Sequence, residues 1–415
     1  MRRPILAVLA VLAVLAVVAT ANYLPAGPSQ EAERPSPQPV EVRVHVSSDS
    51  RFVDDLSLGD FVILEAGASR PLGSLALVRN GQVSRREGPD IAPVHFDRSY
   101  TLLFQMVDWD PSMAGAVDYL FGSVLKSGDT LTMITPFKPY NLHKDALAQR
   151  SKAELAKSMK DVLRKDILRG SGEYRALLGE LRRLTRAIAG TTTNFQEDME
   201  SDLTTEAEGG MGLEMQIDRY RQSLMKLEGI RLVDEAKLLS FAGSLKSVPG
   251  QKTVILFYQR EYRPEISSAA MNRLMSDYQD KPDILGNLMD LFQFYKREKT
   301  FQAEAVKRAF ADAGIDFHFI FMEKKNQRVF GATMREQSED TFPGFVDIAR
   351  ATGGTVGVSQ NPTSAFKHAV DVSADYYLLS FVPEGPSAGG GFRTIEVTVK
   401  REDCQVTSPL GYFPK

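Results

Sequence analysis

Two different spacings of hydrophobic residues divide this chain into parts. Near the amino end, every second residue from Val42 to Val46 is apolar, which is the pattern of a half-buried β-strand. The same alternation returns over residues 395–399. Because both stretches look solvated on one face, we predict that an N-terminal β segment (41–97) and a C-terminal β segment (375–415) pair into one β-sandwich. The chain between them would then be an insertion in that sandwich.

Between the two β segments, continuous apolar runs alternate with helical patterns. Runs of this kind suit strands that are covered on both faces, as in a parallel sheet between layers of helices. The sequence therefore predicts an α/β domain with a mostly parallel sheet over residues 98–374. The predicted buried strands are 100–104, 131–134, 253–257 and 317–322.

A long helical segment interrupts that alternation at about residues 143–227. Its apolar residues recur at spacings of three and four, which indicates amphipathic helices packed as a hairpin or a short coiled coil. The polar, acidic stretch 191–212 between these stripes predicts a mobile tip. The stripes could bury against the α/β domain, or they could join two copies of the chain. A second helical segment is predicted over about residues 265–300.

The amino terminus has the pattern of an export signal. Arg2 and Arg3 precede an unbroken apolar run, residues 4–21, that ends in Ala-Thr-Ala. This arrangement is typical of a signal peptide, so residues 1–21 are predicted to be cleaved. The run also reaches the short limit for a membrane-spanning helix, which leaves an uncleaved anchor open. A Pro/Ser-rich linker (22–40) follows, and the protein is predicted to be secreted, periplasmic or held at the cell envelope.

Composition argues against several kinds of chemistry. The 415 residues carry a net charge of −3, which gives no general attraction for nucleic acid. Cys404 is the single cysteine and the five histidines are scattered, so a zinc site is not expected. No nucleophile elbow, P-loop or dinucleotide fingerprint is present. We therefore predict that the protein is not an enzyme.

The most distinctive short stretch is Met-Val-Asp-Trp-Asp-Pro-Ser-Met, residues 106–113, directly after a predicted buried strand. The carboxyl ends of such strands are where a parallel α/β sheet usually places a ligand. Asp108, Asp110 and Ser112 supply oxygens at alternate positions, and a tight loop could direct them at one hard cation such as Mg²⁺.

Several motifs in sequence order give a family resemblance. They include "VRVHV", "LSLGDFVILEAG", "LLFQMVDWDPSM", "SGDTLTMITPF", "GQKTVILFY", "AGIDFHFIF", "FVDIARATGGTVGV", "SADYYLLSFVPEG" and "FRTIEVTVK". In this order they resemble the von Willebrand factor A-related domain proteins that Acidobacteria and allied bacteria export. The resemblance misses the helical insertion. It implies a Rossmann-like A domain with a metal-ion-dependent adhesion site, flanked by β segments, and a role in binding rather than turnover.

The adhesion-site motif of that family is only partly present. Asp108 falls on its first aspartate, Ser112 on its second serine, and Asp110 on the position of its first serine. Ile230 falls where the motif has a threonine, and its side chain offers no oxygen. Residues 258–260, Tyr-Gln-Arg, stand where the motif has Ser-Asp-Gly. The resemblance therefore implies a degenerate site.

Two outcomes are open for such a site. In the first, no metal binds, and Arg260 or Arg231 pairs with Asp108 or Asp110, because a guanidinium group can satisfy carboxylates in place of the ion. In the alternative, Asp108, Asp110 and Ser112 hold Mg²⁺, and its open coordination position takes a partner's carboxylate.

Trp109, the single tryptophan, is interpreted in two ways: as an exposed anchor for a partner, or as an indole packed under a loop. We predict an exported, non-catalytic, adhesion-like protein that binds an unidentified protein partner without a cofactor. The partner-binding candidates are Trp109, Asp108, Asp110 and Arg260. A hydrolase that uses the same carboxylates is the enzyme alternative, but the sequence shows no nucleophile–base pair for it.

Overall fold

A computed structural model of the protein describes residues 39–49, 51–88, 97–190, 212–298, 301–384 and 391–414. The predicted signal peptide or anchor and residues 191–211 of the predicted mobile tip lie outside the described residues. Within these ranges, no helix combines the length and the apolar character needed to cross a membrane.

The elements follow one another in the order expected from the hydrophobic pattern. The strands are β1 Val40–Ser48, β2 Arg51–Phe52, β3 Phe61–Glu65, β4 Ala68–Arg70, β5 Leu72–Arg79, β6 Gln82–Glu87, β7 Arg98–Gln105, β8 Thr130–Ile134, β9 Pro139–Leu142, β10 Gln251–Gln259, β11 Tyr262–Ile266, β12 Ile315–Met322, β13 Ala332–Glu336, β14 Val356–Ser359, β15 Asp375–Phe381, β16 Arg393–Val399, β17 Gln405–Thr407 and β18 Gly411–Tyr412. The helices are α1 Met113–Tyr119, α2 Ala146–Gln149, α3 Lys152–Gly170, α4 Gly172–Gly190, α5 Leu213–Arg231, α6 Glu235–Lys246, α7 Ser268–Asp277, α8 Pro282–Tyr295, α9 Ala303–Asp312, α10 Phe342–Ala351 and α11 Pro362–Ala374.

The central sheet has the strand order β14-β12-β10-β7-β8-β9. Its neighbouring strands are parallel, except that β9 runs antiparallel to β8 at one edge. All four predicted buried runs lie in strands of this sheet, which confirms the predicted α/β class. Counted along the chain, the strands lie in the order 3-2-1-4-5-6. The chain therefore adds β8 and β9 on one side of β7, and then adds β10, β12 and β14 on the other side. The strand order reverses between β7 and β10.

Helices cover both faces of the central sheet, because side chains of a strand point alternately to opposite faces. Ile255 and Phe257 of β10 belong to a core with α1, α3 and α11. Val254, Leu256 and Tyr258 belong to a second core with α6, α9 and α10. This two-sided burial explains why the strand sequences are continuously apolar rather than alternating.

Helix α3 realises one of the two alternatives for the stripes of residues 143–227. Leu155, Met159 and Leu163 of α3 are buried against the central sheet. An amphipathic stripe shows that one helix face is apolar, and it does not show which surface covers that face.

Helices α4, α5, α7 and α8, called here the helical unit, share a core of their own. The predicted stripes of α4 and α5 are buried there, together with the second helical segment around 265–300. Leu181, Leu184, Ile217 and Tyr220 are completely buried. These stripes are thus covered within the same chain and are not available to a second copy. Association of two copies through the helical insertion stays a prediction.

The two terminal β segments meet, as the sandwich hypothesis requires. In one sheet β1 pairs antiparallel with β15, so that Val42 lies opposite Leu379. In a second sheet β3 pairs antiparallel with β16, so that Ile63 lies opposite Val397. The inward-facing residues of both sheets form one common core. Strands from the two ends of the described chain therefore stabilise each other.

Candidate functional site

The stretch around Asp108 lies where the strand order of the central sheet reverses. Asp108 follows β7, and β7 is the neighbour of β10 at the reversal. In open α/β sheets, ligands bind in the crevice outside the carboxyl ends of the strands at such a point. The topology therefore makes the carboxyl ends of β7 and β10 the candidate functional site.

Lys324 supplies the positive charge at Asp108. Its Nζ donates a hydrogen bond to Asp108 Oδ2, and the two side chains are 32% and 45% exposed. Lys324 comes two residues after the end of β12, so its side chain reaches across the end of β10 to β7. Adjacent strands lie about 4.8 Å apart, and the long lysine side chain can span two such spacings.

The prediction that Arg260 or Arg231 pairs with Asp108 or Asp110 is wrong. Arg260 Nε lies 3.1 Å from Glu336 Oε1, and its guanidinium packs 5.1 Å from the centre of the Phe321 ring. Consecutive residues of an extended strand point to opposite faces, so Arg260 turns away from the face towards which Gln259 points. The sequence signal for the observed ion pair is the lysine pair 324–325, which follows β12 after Glu323. Strand β12 lies one strand further from β7 than β10 does.

Arg231 belongs to a buried group beside the site. Its Nε lies 2.5 Å from Glu261 Oε2, and the Tyr174 hydroxyl donates to the same carboxylate at 3.4 Å. Burial, followed by the nearby Glu261 carboxylate, raises the pKa of Tyr258 to about 12. This group ties the end of α5 and the start of α4 to the chain that leaves β10, and it is not accessible to a partner.

Gln259 holds the ends of β7 and β10 together. Its Oε1 accepts hydrogen bonds from the backbone N–H groups of Val107 and Asp108, at 3.1 and 2.9 Å. The side chain is buried, so the two N–H groups have a protein acceptor away from water. Sequence reasoning noted Gln259 only as a lost aspartate. The structure gives it a positioning role for the loop that carries Asp108.

Asp110 and Ser112 close that loop from within. Asp110 Oδ1 accepts hydrogen bonds from the Ser112 backbone N–H at 2.9 Å and from its hydroxyl at 2.6 Å. The Ser112 carbonyl accepts from Thr363 Oγ1 of α11 at 2.8 Å. Asp110 therefore fixes the conformation of the loop that leads into α1. Its carboxylate, which was predicted to contact a partner, stabilises this loop.

The donor set does not fit a divalent cation. Asp108 bonds to an ammonium group, and the Ser112 hydroxyl donates to Asp110 instead of facing a common centre. Ile230 lies in the last turn of α5 and offers no oxygen, while the amide oxygen of Gln259 is already shared by two N–H groups. In the described ranges, no group of three or more histidine, cysteine or acidic side chains could hold a metal ion.

Trp109 is half-buried and packs against the core formed with α1, α3 and α11. This position matches the alternative in which the indole packs under a loop. It leaves only part of the ring for contact with a partner.

Comparisons with known proteins do not assign a family. No protein-family model matches the chain, and no curated protein sequence matches it. Among solved structures, the chain is similar to the human COPII-coat protein Sec24c at 7% identity and a TM-score of 0.28, over 76% of this chain and 43% of that chain.

Proposed function

We propose that the protein is an exported, non-catalytic binding protein with a von Willebrand factor A-type domain, in which Lys324 replaces the metal ion of an adhesion site. The single observation that carries the proposal is the Lys324–Asp108 ion pair at the reversal point of the central sheet. A side-chain ammonium group there provides positive charge without a divalent cation.

Two features support the A-type assignment. The strand order 3-2-1-4-5-6 is that of doubly wound, Rossmann-like sheets, here with an antiparallel edge strand. The partial Asp-x-Asp-x-Ser motif then follows the first strand, beside the reversal. The strand order and the position of the motif therefore both support an A-type domain.

The chemistry at the site favours binding over turnover. The Ser112 hydroxyl donates to the Asp110 carboxylate, which also accepts from the Ser112 backbone N–H, and the Thr363 hydroxyl donates to the Ser112 carbonyl. His318, the histidine of β12, is buried with Nδ1 bonded to Thr355 and Nε2 bonded to Ser373. A nucleophile needs a base that is free to take its proton, and these contacts provide none.

The first test compares thermal unfolding of the wild type, Lys324→Ala and Asp108→Ala with millimolar Mg²⁺ and with a chelator. We expect the wild-type midpoint to be the same in both, because the ammonium occupies the cation position. Lys324→Ala should lower the free energy of unfolding by only about 0.2–1 kcal/mol, since the pair is partly exposed. Lys325→Ala, which alters the exposed neighbouring lysine, is the matched control. A wild-type midpoint that rises with Mg²⁺ and falls with chelator would refute the proposal and support the Mg²⁺ alternative.

The second test concerns binding itself. The full-length protein, with Lys324→Glu and Lys400→Ala as variants, is immobilised and exposed to extracts of its native cell envelope. Lys400 is exposed on the sandwich, after β16. We expect a protein that is retained by the wild type and Lys400→Ala, lost with Lys324→Glu, and retained equally with chelator. Retention that is identical for all three proteins would place the interaction elsewhere and overturn the proposed site.

A further inference from the structure

We infer that the partner presents an acidic peptide segment, recognised by the irregular loop between β12 and β13, residues 323–331, called here the basic loop. This inference rests on the proposed function and adds the chemical class of the partner. The basic loop carries three cationic side chains, Lys324, Lys325 and Arg328, and one carboxylate, Glu323.

The single carboxylate of the basic loop does not neutralise the cations beside it. Glu323 Oε2 accepts a hydrogen bond from Gln360 Nε2 at 3.1 Å, which holds it towards the turn after β14. Lys325 and Arg328 are exposed. Among the residues that the structure describes, no carboxylate forms an ion pair with either of them. Two positive charges therefore face solvent next to the Lys324–Asp108 pair.

Lys324 itself keeps donors for a partner. An ammonium group donates three hydrogen bonds, and one of them goes to Asp108. The other two meet no acceptor within the described part of the chain, and the side chain is one-third exposed. An incoming carboxylate could bind these two donors while Asp108 holds the ammonium group in place. Charge-assisted hydrogen bonds of this kind are stronger than neutral ones.

Apolar surface at the same end of the sheet, beyond the carboxyl ends of its parallel strands, favours a peptide over a nucleic acid as the ligand. Phe137, in the turn after β8, and Leu168, near the end of α3, are each 42% exposed. The Arg169 guanidinium lies 4.3 Å from the centre of the Phe137 ring, which adds a further cation. Nucleic-acid surfaces usually combine a net positive domain with phosphate-facing cations. Here the net charge is −3, and apolar side chains lie at the cationic edge.

Fluorescence anisotropy with synthetic peptides tests the inference on the full-length protein. The probe is a labelled peptide of alternating glutamate and leucine, and its matched control has lysine in place of glutamate. We expect the acidic peptide to bind and the basic peptide not to bind. Charge complementarity acts through screened Coulomb forces, so affinity should fall as salt shortens the Debye length below about 10 Å.

The decisive variant is Lys325→Glu/Arg328→Glu, because neither side chain has an ion-pair partner to lose among the described residues. Reversing two charges should weaken binding of the acidic peptide by about tenfold or more, which is about 1.4 kcal/mol of binding free energy. Lys325→Gln/Arg328→Gln should give an intermediate loss of affinity for the acidic peptide. The control Lys400→Glu, which changes a residue of the sandwich after β16, should bind the acidic peptide like the wild type.

Other outcomes separate the inference from the proposed function. Equal binding of both peptides, full affinity in the double variant, or stronger competition by an oligonucleotide than by the acidic peptide would each overturn the acidic partner. None of these results would change the Mg²⁺-independent unfolding of the wild type. A midpoint that depends on Mg²⁺ would instead refute the proposed function, whatever the peptides do.

Discussion

At the scale of single residues, burial of a titratable side chain makes the free energy of unfolding depend on pH, and His318 is the clearest case. His318 lies inside β12, where its Nδ1 accepts from the Thr355 backbone N–H at 3.1 Å and its Nε2 lies 2.8 Å from Ser373 Oγ. Burial, with smaller effects from His368 and Arg43, lowers the pKa of His318 from 6.5 to about 3. The neutral ring is therefore a fixed part of the core.

This depressed pKa predicts a pH dependence. Between pH 6.5 and about pH 3 the unfolded chain binds a proton at His318 that the folded chain does not. Stability from this group is therefore complete above pH 6.5 and falls by about 1.4 kcal/mol for each pH unit below it. In urea unfolding at neutral pH and near pH 4.5, His318→Gln should lose less stability on acidification than the wild type. His143→Gln, at an exposed position, should follow the wild type. Equal losses in all three proteins would contradict the prediction.

At the scale of elements, the helical unit is joined to the loop that carries Asp108. The Val107 side chain belongs to the core of that unit. Its backbone N–H donates to Gln259, and its carbonyl accepts from Ser171 Oγ at 2.7 Å, at the junction of α3 and α4. The residue before Asp108 is thus held by β10, by the helix junction and by the helical core at once.

Ser171→Ala tests this junction. The variant leaves the buried Val107 carbonyl without the Ser171 hydroxyl, which should lower the free energy of unfolding by about 1–3 kcal/mol. Ser158→Ala, on the exposed face of α3, should change stability little. Chemical denaturation measures both variants. A loss in Ser158→Ala as large as that in Ser171→Ala would show that the effect is a general response of α3.

At the scale of the whole molecule, an ion pair between Arg43 and Asp316 joins the sandwich to the central sheet. Arg43 of β1 donates through Nη1 to Asp316 Oδ2 of β12 at 2.8 Å, and a second nitrogen donates to the Gly314 carbonyl. The two side chains are 15% and 13% exposed. Burial raises the pKa of Asp316, while Arg43 opposes that shift.

Arg43→Met should leave the Asp316 carboxylate buried without its counter-charge. Breaking such a pair costs about 3–5 kcal/mol at neutral pH. The pKa of Asp316 would rise further, so the folded state would hold that proton more tightly than the unfolded chain. The deficit should therefore shrink as pH falls through the raised pKa of Asp316. Arg43→Met/Asp316→Asn should recover part of the stability at neutral pH. A double variant as unstable as Arg43→Met would assign the loss to packing of the arginine.

The local pattern was enough to predict the class of fold and to place Asp108 near the end of a strand of the central sheet. Continuous apolar runs identified the four buried strands of the central sheet, and alternation at residues 42–46 and 395–399 identified the half-solvated strands. The position of Asp108 directly after a buried strand located the candidate site at a strand end. These features depend on neighbouring residues, whose side-chain directions follow from helix and strand geometry alone.

The sequence by itself thus determined which faces of the elements are buried and where the oxygens of the site lie along the chain. Only the tertiary structure decided what covers each face and which cation meets Asp108. Lys324 is 216 residues away in sequence, and α3 packs on the sheet although its stripe matches the stripe of α4. The physical reason is that hydrophobic burial is non-directional: periodicity encodes that a face must leave water, and strand order decides which distant side chains are brought together.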